Sequence, residues 1–134
     1  MTHAPIHHAI IIIGAGPSGI GAAIRLLASG RRDFVVLEKA NALGGTWRDN
    51  TYPGCACDVP SALYSYSFAP NLDWSRVFAG QGEIRAYLER VAVEHGVPAH
   101  VRFGTELVSA RWQPTARRWH LETSAGRYSS DALI

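Results

Sequence analysis

The chain is poor in cysteine, in lysine and in long apolar runs. Cys55 and Cys57 are the only cysteines among 134 residues, which excludes a disulfide framework and a four-cysteine zinc site. A Cys-x-Cys pair would close a short, strained ring, so it reads as two small residues in a tight loop rather than as a redox couple. Lys39 stands alone beside twelve arginines, and the formal net charge is only +2. That balance gives no electrostatic ground for nucleic acid or an anionic membrane surface. No apolar run approaches the roughly 18 residues that span a bilayer. The N-terminus also lacks a basic stretch leading into a long apolar segment and a cleavage site, so a cytoplasmic location is expected. There is no internal repeat and no low-complexity tract. His3, His7 and His8 cluster near the start, where a frayed, solvated terminus is expected rather than a metal site.

An apolar fraction of 47% is normal for a folded core, and the length suits one domain. The most telling local feature is Gly14-Ala-Gly-Pro-Ser-Gly19, between the apolar run Ala9 to Ile13 and a helix-like segment, Ile20 to Leu27. A buried strand, a glycine turn and a helix in that order build a phosphate-binding turn. Gly14 lets the chain leave the strand sharply, Gly16 admits a pyrophosphate close to the backbone, and Gly19 lets the helix lie near the sheet. Free N–H groups and the positive end of the helix dipole then hold the phosphate without a basic side chain. Asp33 to Leu37 reads as a second buried strand ending in Glu38. A carboxylate about 20 residues past the glycines is where such a fold hydrogen-bonds a ribose diol. Dinucleotide binding is therefore expected.

After Glu38 the regular pattern breaks until about residue 80, in a stretch rich in Gly, Pro and aromatics. A long irregular segment in a compact domain is usually functional, and this one is expected to fold over the bound cofactor. Gln81 to Glu94 has apolar residues at Ile84, Tyr87, Leu88, Val91 and Ala92, which predicts a helix stopped by Gly96 and Pro98. Val101 to Phe103 is expected to add a third parallel strand. Leu107 to Trp112, Trp119 to Thr123 and Tyr128 to Ile134 read as an antiparallel meander. The fold class is α/β: a Rossmann-like parallel sheet with a βαβ unit and a β-meander. The chain stops inside an apolar strand, Asp131 to Ile134, and so is expected to be an incomplete piece of a longer protein.

Gly44-Gly-Thr-Trp47, Tyr52-Pro-Gly54, Asp58 and Tyr64-Ser-Tyr-Ser-Phe68 together resemble the flavin-containing, NADPH-using monooxygenases of the Baeyer-Villiger type. The resemblance runs over essentially the whole chain, and this loop is far more specific than the glycine turn. It implies that the dinucleotide is FAD, since the family binds FAD at its first glycine motif and NADPH at a later one. Residues 1–134 would then form an N-terminal FAD-binding domain, with the NADPH-binding domain outside the chain. The FAD pyrophosphate would sit at Gly14, Gly16, Pro17, Ser18 and Gly19, and the adenosine ribose at Glu38. Gly45, Thr46 and Trp47 would run beside the ribityl and phosphate portion. Leu107 would contact adenine through its backbone. Asp58 resembles the family's acidic residue beside the flavin and nicotinamide, in a catalytic support role, and Tyr64 its aromatic neighbour of the cofactor. Each also has a structural reading: an Asx-type turn for Asp58, and core filling for Trp47 and Tyr64. Where many members carry an Arg shortly before that Asp, this chain has Ala56 and Cys57.

The resemblance further implies an enzyme that inserts one oxygen atom of O2 into a ketone through a C4a-peroxyflavin, with NADPH as co-substrate. A heteroatom substrate is the alternative. By itself the chain is expected to be inactive. Other readings are an FAD-dependent NAD(P)H oxidoreductase without oxygenation, and a nucleotide-binding remnant without chemistry.

Overall fold

A computed structural model describes residues 3–134. Strand β1 (Ile6–Ile13) leads through the glycine turn into helix α1 (Pro17–Ala28) and strand β2 (Phe34–Leu37). The irregular stretch that follows holds a single helical turn, α2 (Thr46–Asp49), and a 3₁₀ turn at Ser61–Leu63. Helix α3 (Gln81–Glu94) then leads through a second 3₁₀ turn to β3 (Val101–Arg102), β4 (Leu107–Gln113), β5 (Arg118–Thr123) and β6 (Gly126–Leu133).

All six strands form one sheet in the order β3-β2-β1-β6-β5-β4. The first four are parallel, and β6-β5-β4 run antiparallel to one another. The meander is therefore not a separate attachment. Its last strand is also the fourth parallel strand, paired along β1 from Ile6↔Tyr128 to Ile11↔Leu133. That pairing corrects the reading of the start of the chain. With β6 alongside, β1 begins at Ile6, and His7 and His8 are strand residues rather than a frayed end. His7 Nδ1 lies 3.0 Å from Ser129 Oγ, and His8 Nδ1 lies 3.3 Å from Asp33 Oδ1.

Helix α1 starts at Pro17, three residues earlier than apolar spacing alone suggests, because proline's fixed φ and missing N–H suit the first helical position. Ser29 ends it, followed by Gly30 at φ +80°. Its buried residues Gly19, Ile20, Ala23 and Ile24, with Ile84, Tyr87, Leu88, Val91 and Ala92 of α3, cover the face of the sheet that carries Ile12, Phe34 and Val36. The opposite face has a smaller cluster around Ile11, Val35, Leu37, Leu121 and Tyr128. Among the described residues no helix is long and apolar enough to cross a membrane.

The aromatic residues between 64 and 74 fasten the irregular segment to the helices rather than to the open ends of the strands. Tyr66 lies stacked on Phe68 with ring centroids 5.0 Å apart, and its hydroxyl donates to the Pro17 carbonyl. Burial pushes the Tyr66 hydroxyl well above its usual range, so it remains a proton donor. Gly21 makes this approach possible, since a Cβ there would stand 3.0 Å from the Tyr66 ring. Tyr87 on α3 is the second anchor. Its hydroxyl accepts the Tyr66 N–H at 2.9 Å and donates to the Ala69 carbonyl at 2.6 Å. Tyr87→Phe leaves both backbone groups without that partner and is expected to cost about 1–3 kcal/mol, read as a lower urea midpoint with an unchanged slope.

Candidate functional site

The C-terminal ends of β1 and β2 open into a cleft of about 570 Å³. A crevice outside the carboxyl ends of parallel strands is the usual ligand position in such sheets, and this size is within the range of small-molecule sites. Gly14 forms its floor at φ +93° and donates its N–H to Leu37 O at 2.9 Å, which ties the turn to β2. Gly19 is buried under the turn, where a Cβ would fall 1.8 Å from Gly14 O. The first backbone bond of α1 runs from Ile20 N–H to Gly16 C=O, so the Ser18 and Gly19 amides have no helical partner and can face an anion.

A second pair of glycines completes the turn. Gly45, at φ +54°, lies against Gly16 so closely that a Cβ on Gly45 would stand 2.8 Å from Gly16 Cα. Gly44 N–H donates to Ala15 O at 3.0 Å. The Gly-Gly of the irregular segment is thus the opposite wall of the phosphate turn.

Glu38 is 4% exposed, yet it lines this cleft. Its Oε2 accepts the Ala15 N–H at 2.7 Å, and its Oε1 accepts the Ala40 N–H at 2.9 Å. An ionised carboxylate has about four acceptor positions, so two hydrogen bonds leave capacity on both oxygens. Arg48 closes the arrangement, with Nη1 at 3.4 Å from Glu38 Oε1.

Of the residues marked in the sequence, Gly14, Gly16, Glu38, Gly45, Thr46 and Leu107 come together around the cleft. Pro17 and Ser18 form the first turn of α1, with Ser18 exposed. Trp47 points the other way, into the core, and its Nε1–H donates to the Tyr64 hydroxyl at 2.9 Å. The two rings meet edge to face at 5.6 Å. Tyr64 and Pro17 border a separate, apolar pocket of about 260 Å³ between α1 and α3. Asp58 is exposed in a bend outside both spaces, and its side chain makes no hydrogen bond or ion pair among the described residues. The Asx-type turn is not formed either, since Pro60, two residues on, has no N–H to donate to Asp58. The stretch from Thr51 to Gly80 stays clear of the cleft, whose wall on this side ends at Asn50.

The sequence profile of NAD(P)-binding Rossmann-like domains matches residues 12–80, more than half of the chain. The chain belongs to that family.

This Rossmann-like domain is 53% identical over 128 residues to a Baeyer-Villiger monooxygenase of Streptomyces coelicolor, a match covering 96% of the chain and 25% of the relative. Among solved structures it is 37% identical to an oxidized steroid monooxygenase bound to NADP, with a TM-score of 0.89 over 95% of the chain and 25% of that protein. A complex of OTEMO with FAD and NADP gives 32% identity and a TM-score of 0.89, over 98% of the chain and 25% of that protein. The chain spans about a quarter of the length of the relatives it matches.

Four charged residues of the Rossmann-like domain's cleft, Lys39, Arg48, Asp49 and Glu106, were not marked from sequence. Arg48 gives no local signal, since an Arg in a polar loop ordinarily reads as solvated. Its side chain is only 11% exposed. The hydrogen bonds to Asp49, reinforced by the charges of Glu38 and Asp49, push Arg48 further up, and the same hydrogen bonds, with the positive charges of Arg48 and Lys39, hold the Asp49 carboxyl below the usual carboxylate range.

Proposed function

We propose that this chain is the FAD-binding portion of an NAD(P)H-dependent flavoprotein monooxygenase that acts on a ketone. The contact between Gly16 and Gly45 beside Glu38 carries the reading, because it makes one cradle with free amides for a pyrophosphate and a carboxylate for a ribose. The cleft fits such a group: side chains are missing where phosphate must approach, and Glu38 keeps unused acceptors. The names of relatives, which include Baeyer-Villiger monooxygenases and a complex with FAD and NADP, support the choice of FAD and of NADPH as co-substrate.

When bound, the flavin supplies the redox chemistry that passes one oxygen atom of O2 to the substrate. The chain's own residues bind and orient it. In this reading Gly14 to Gly19, with Pro17 and Ser18 in the first helical turn, hold the pyrophosphate, and Glu38 accepts the ribose hydroxyls. Gly45 and Thr46 flank the phosphate and ribityl portion, and the backbone at Leu107 borders adenine. Trp47 and Tyr64 support that wall from behind through their mutual hydrogen bond. Asp58 is the candidate for a catalytic support role near the nicotinamide, in the longer parent protein with its NADPH-binding domain. A cytoplasmic location belongs to the same proposal.

Titrating the chain with FAD and with FMN, followed by flavin fluorescence, tests the adenosine half of the cleft. Saturable FAD binding is expected, with FMN at least about tenfold weaker, a difference of about 1.4 kcal/mol. Equal affinities would overturn the reading of Glu38 and Leu107. For the parent protein, NADPH consumption coupled to ester formation from a ketone is expected, and sulfide oxidation without ketone oxidation would overturn the substrate class.

A further inference from the structure

Arg48 makes more contacts than a surface arginine has reason to make. Nε and Nη2 meet the two oxygens of Asp49 at 2.8 and 3.1 Å, and Nη1 donates to Ala42 O at 2.7 Å. The same Nη1 lies 3.4 Å from Glu38 Oε1. A guanidinium fork meets a carboxylate, a carbonyl and a second carboxylate at these distances from three separate nitrogens, which the single ammonium of lysine cannot reproduce. Gly44, at φ +121°, makes room, since a Cβ there would stand 3.2 Å from Arg48 Cβ.

Glu38 needs such a partner. A buried carboxylate is costly without a counter-charge, and its N–H donors from Ala15 and Ala40 lie on either side of it. With Arg48 beside Oε1 and the Ala15 and Ala40 amides on Oε2 and Oε1, the carboxylate is held by three groups, and both Glu38 and Arg48 line the cleft.

We propose that Arg48 is a positioning residue for ribose recognition, holding the Glu38 carboxylate oriented so that it accepts the vicinal hydroxyls of the adenosine ribose. The inference rests on the reading of the cleft as an FAD site. It assigns Arg48 no contact with the cofactor. Its effect is on discrimination of the ribose hydroxyls, not only on affinity.

The test compares Kd values for FAD and for its 2′-deoxyadenosine analogue on the full chain, with circular dichroism as the check of folding. The native chain is expected to prefer FAD by at least about tenfold, as for a hydrogen bond to a charged acceptor. Arg48→Met is expected to weaken FAD about tenfold and bring the preference close to one, and Arg48→Lys to recover part of the FAD affinity. Asp49→Asn, on the exposed rim, is expected to lower the preference about two- to threefold by loosening the fork. A native preference in folded Arg48→Met overturns the inference, whether or not FAD binds more weakly. If that variant does not fold, a native preference in Asp49→Asn overturns it instead. A native chain that binds FAD without preferring it overturns the ribose role of Glu38 as well, and one that binds no FAD overturns the functional reading itself.

Discussion

Gly19→Ala is expected to be among the most damaging single-methyl changes in this chain. The added Cβ would stand 1.8 Å from the Gly14 carbonyl oxygen and 3.0 Å from its carbon. Both are backbone atoms of the turn, so no side chain can swing aside. Either α1 lifts from β1 or the turn opens. Both routes break Gly14 N–H to Leu37 O and the seat of Ile20, which is fully buried. Overpacking ordinarily costs 1–3 kcal/mol, and a clash this deep is expected to cost about 3 kcal/mol or more, with loss of nucleotide binding. Gly16→Ala is the control. Its Cβ would meet Gly45 Cα at an ordinary 3.5 Å, so a stability loss of about 1 kcal/mol or less is expected. Urea denaturation of both variants decides the matter, and equal midpoints would refute the steric argument.

Glu38→Ala is expected to cost about 3–5 kcal/mol, the range for removing one partner of a buried charge pair. The loss has several parts. Ala15 N–H, inside the turn, loses its acceptor, Ala40 N–H loses another, and Arg48 keeps a charge that Asp49 alone must balance. Glu38→Gln keeps the shape and one acceptor oxygen, and is expected to cost about 1–3 kcal/mol. Thermal unfolding and the FAD titration should move together in Glu38→Ala. A variant as stable as the native chain would show that the carboxylate braces nothing.

These effects divide what the sequence makes legible from what it hides. The buried face of α3 was readable in full, because a 3.6-residue apolar period has one interpretation at that length. Glu38 was readable because β2 is short and its end is marked by a change from apolar to charged. Order within the sheet was less accessible. Alternating residues mark β6 as a strand, but nothing local says that it lies between β1 and β5. The cleft's second wall was hidden for a related reason: Gly45 meets Gly16 only once the chain has returned to the turn, a contact between segments with no shared period. The aromatics between 64 and 74 carried the opposite risk. Rings in an irregular segment suggest a ligand cover, whereas here Tyr66 and Tyr87 use their hydroxyls to fasten loop to helices. Arg48 was silent, because its worth depends on a carboxylate ten residues earlier being buried.

The insertion of β6 beside β1 also sets an order of events. His7 and Ser129 are neighbours across the sheet although 122 positions separate them, and such distant pairs slow folding because a long loop must close first. During synthesis one of the two edges of β1 stays unpaired until residues 126–133 have followed. The glycine turn therefore follows a strand that is flanked on both sides only after residues 126–133 have been made.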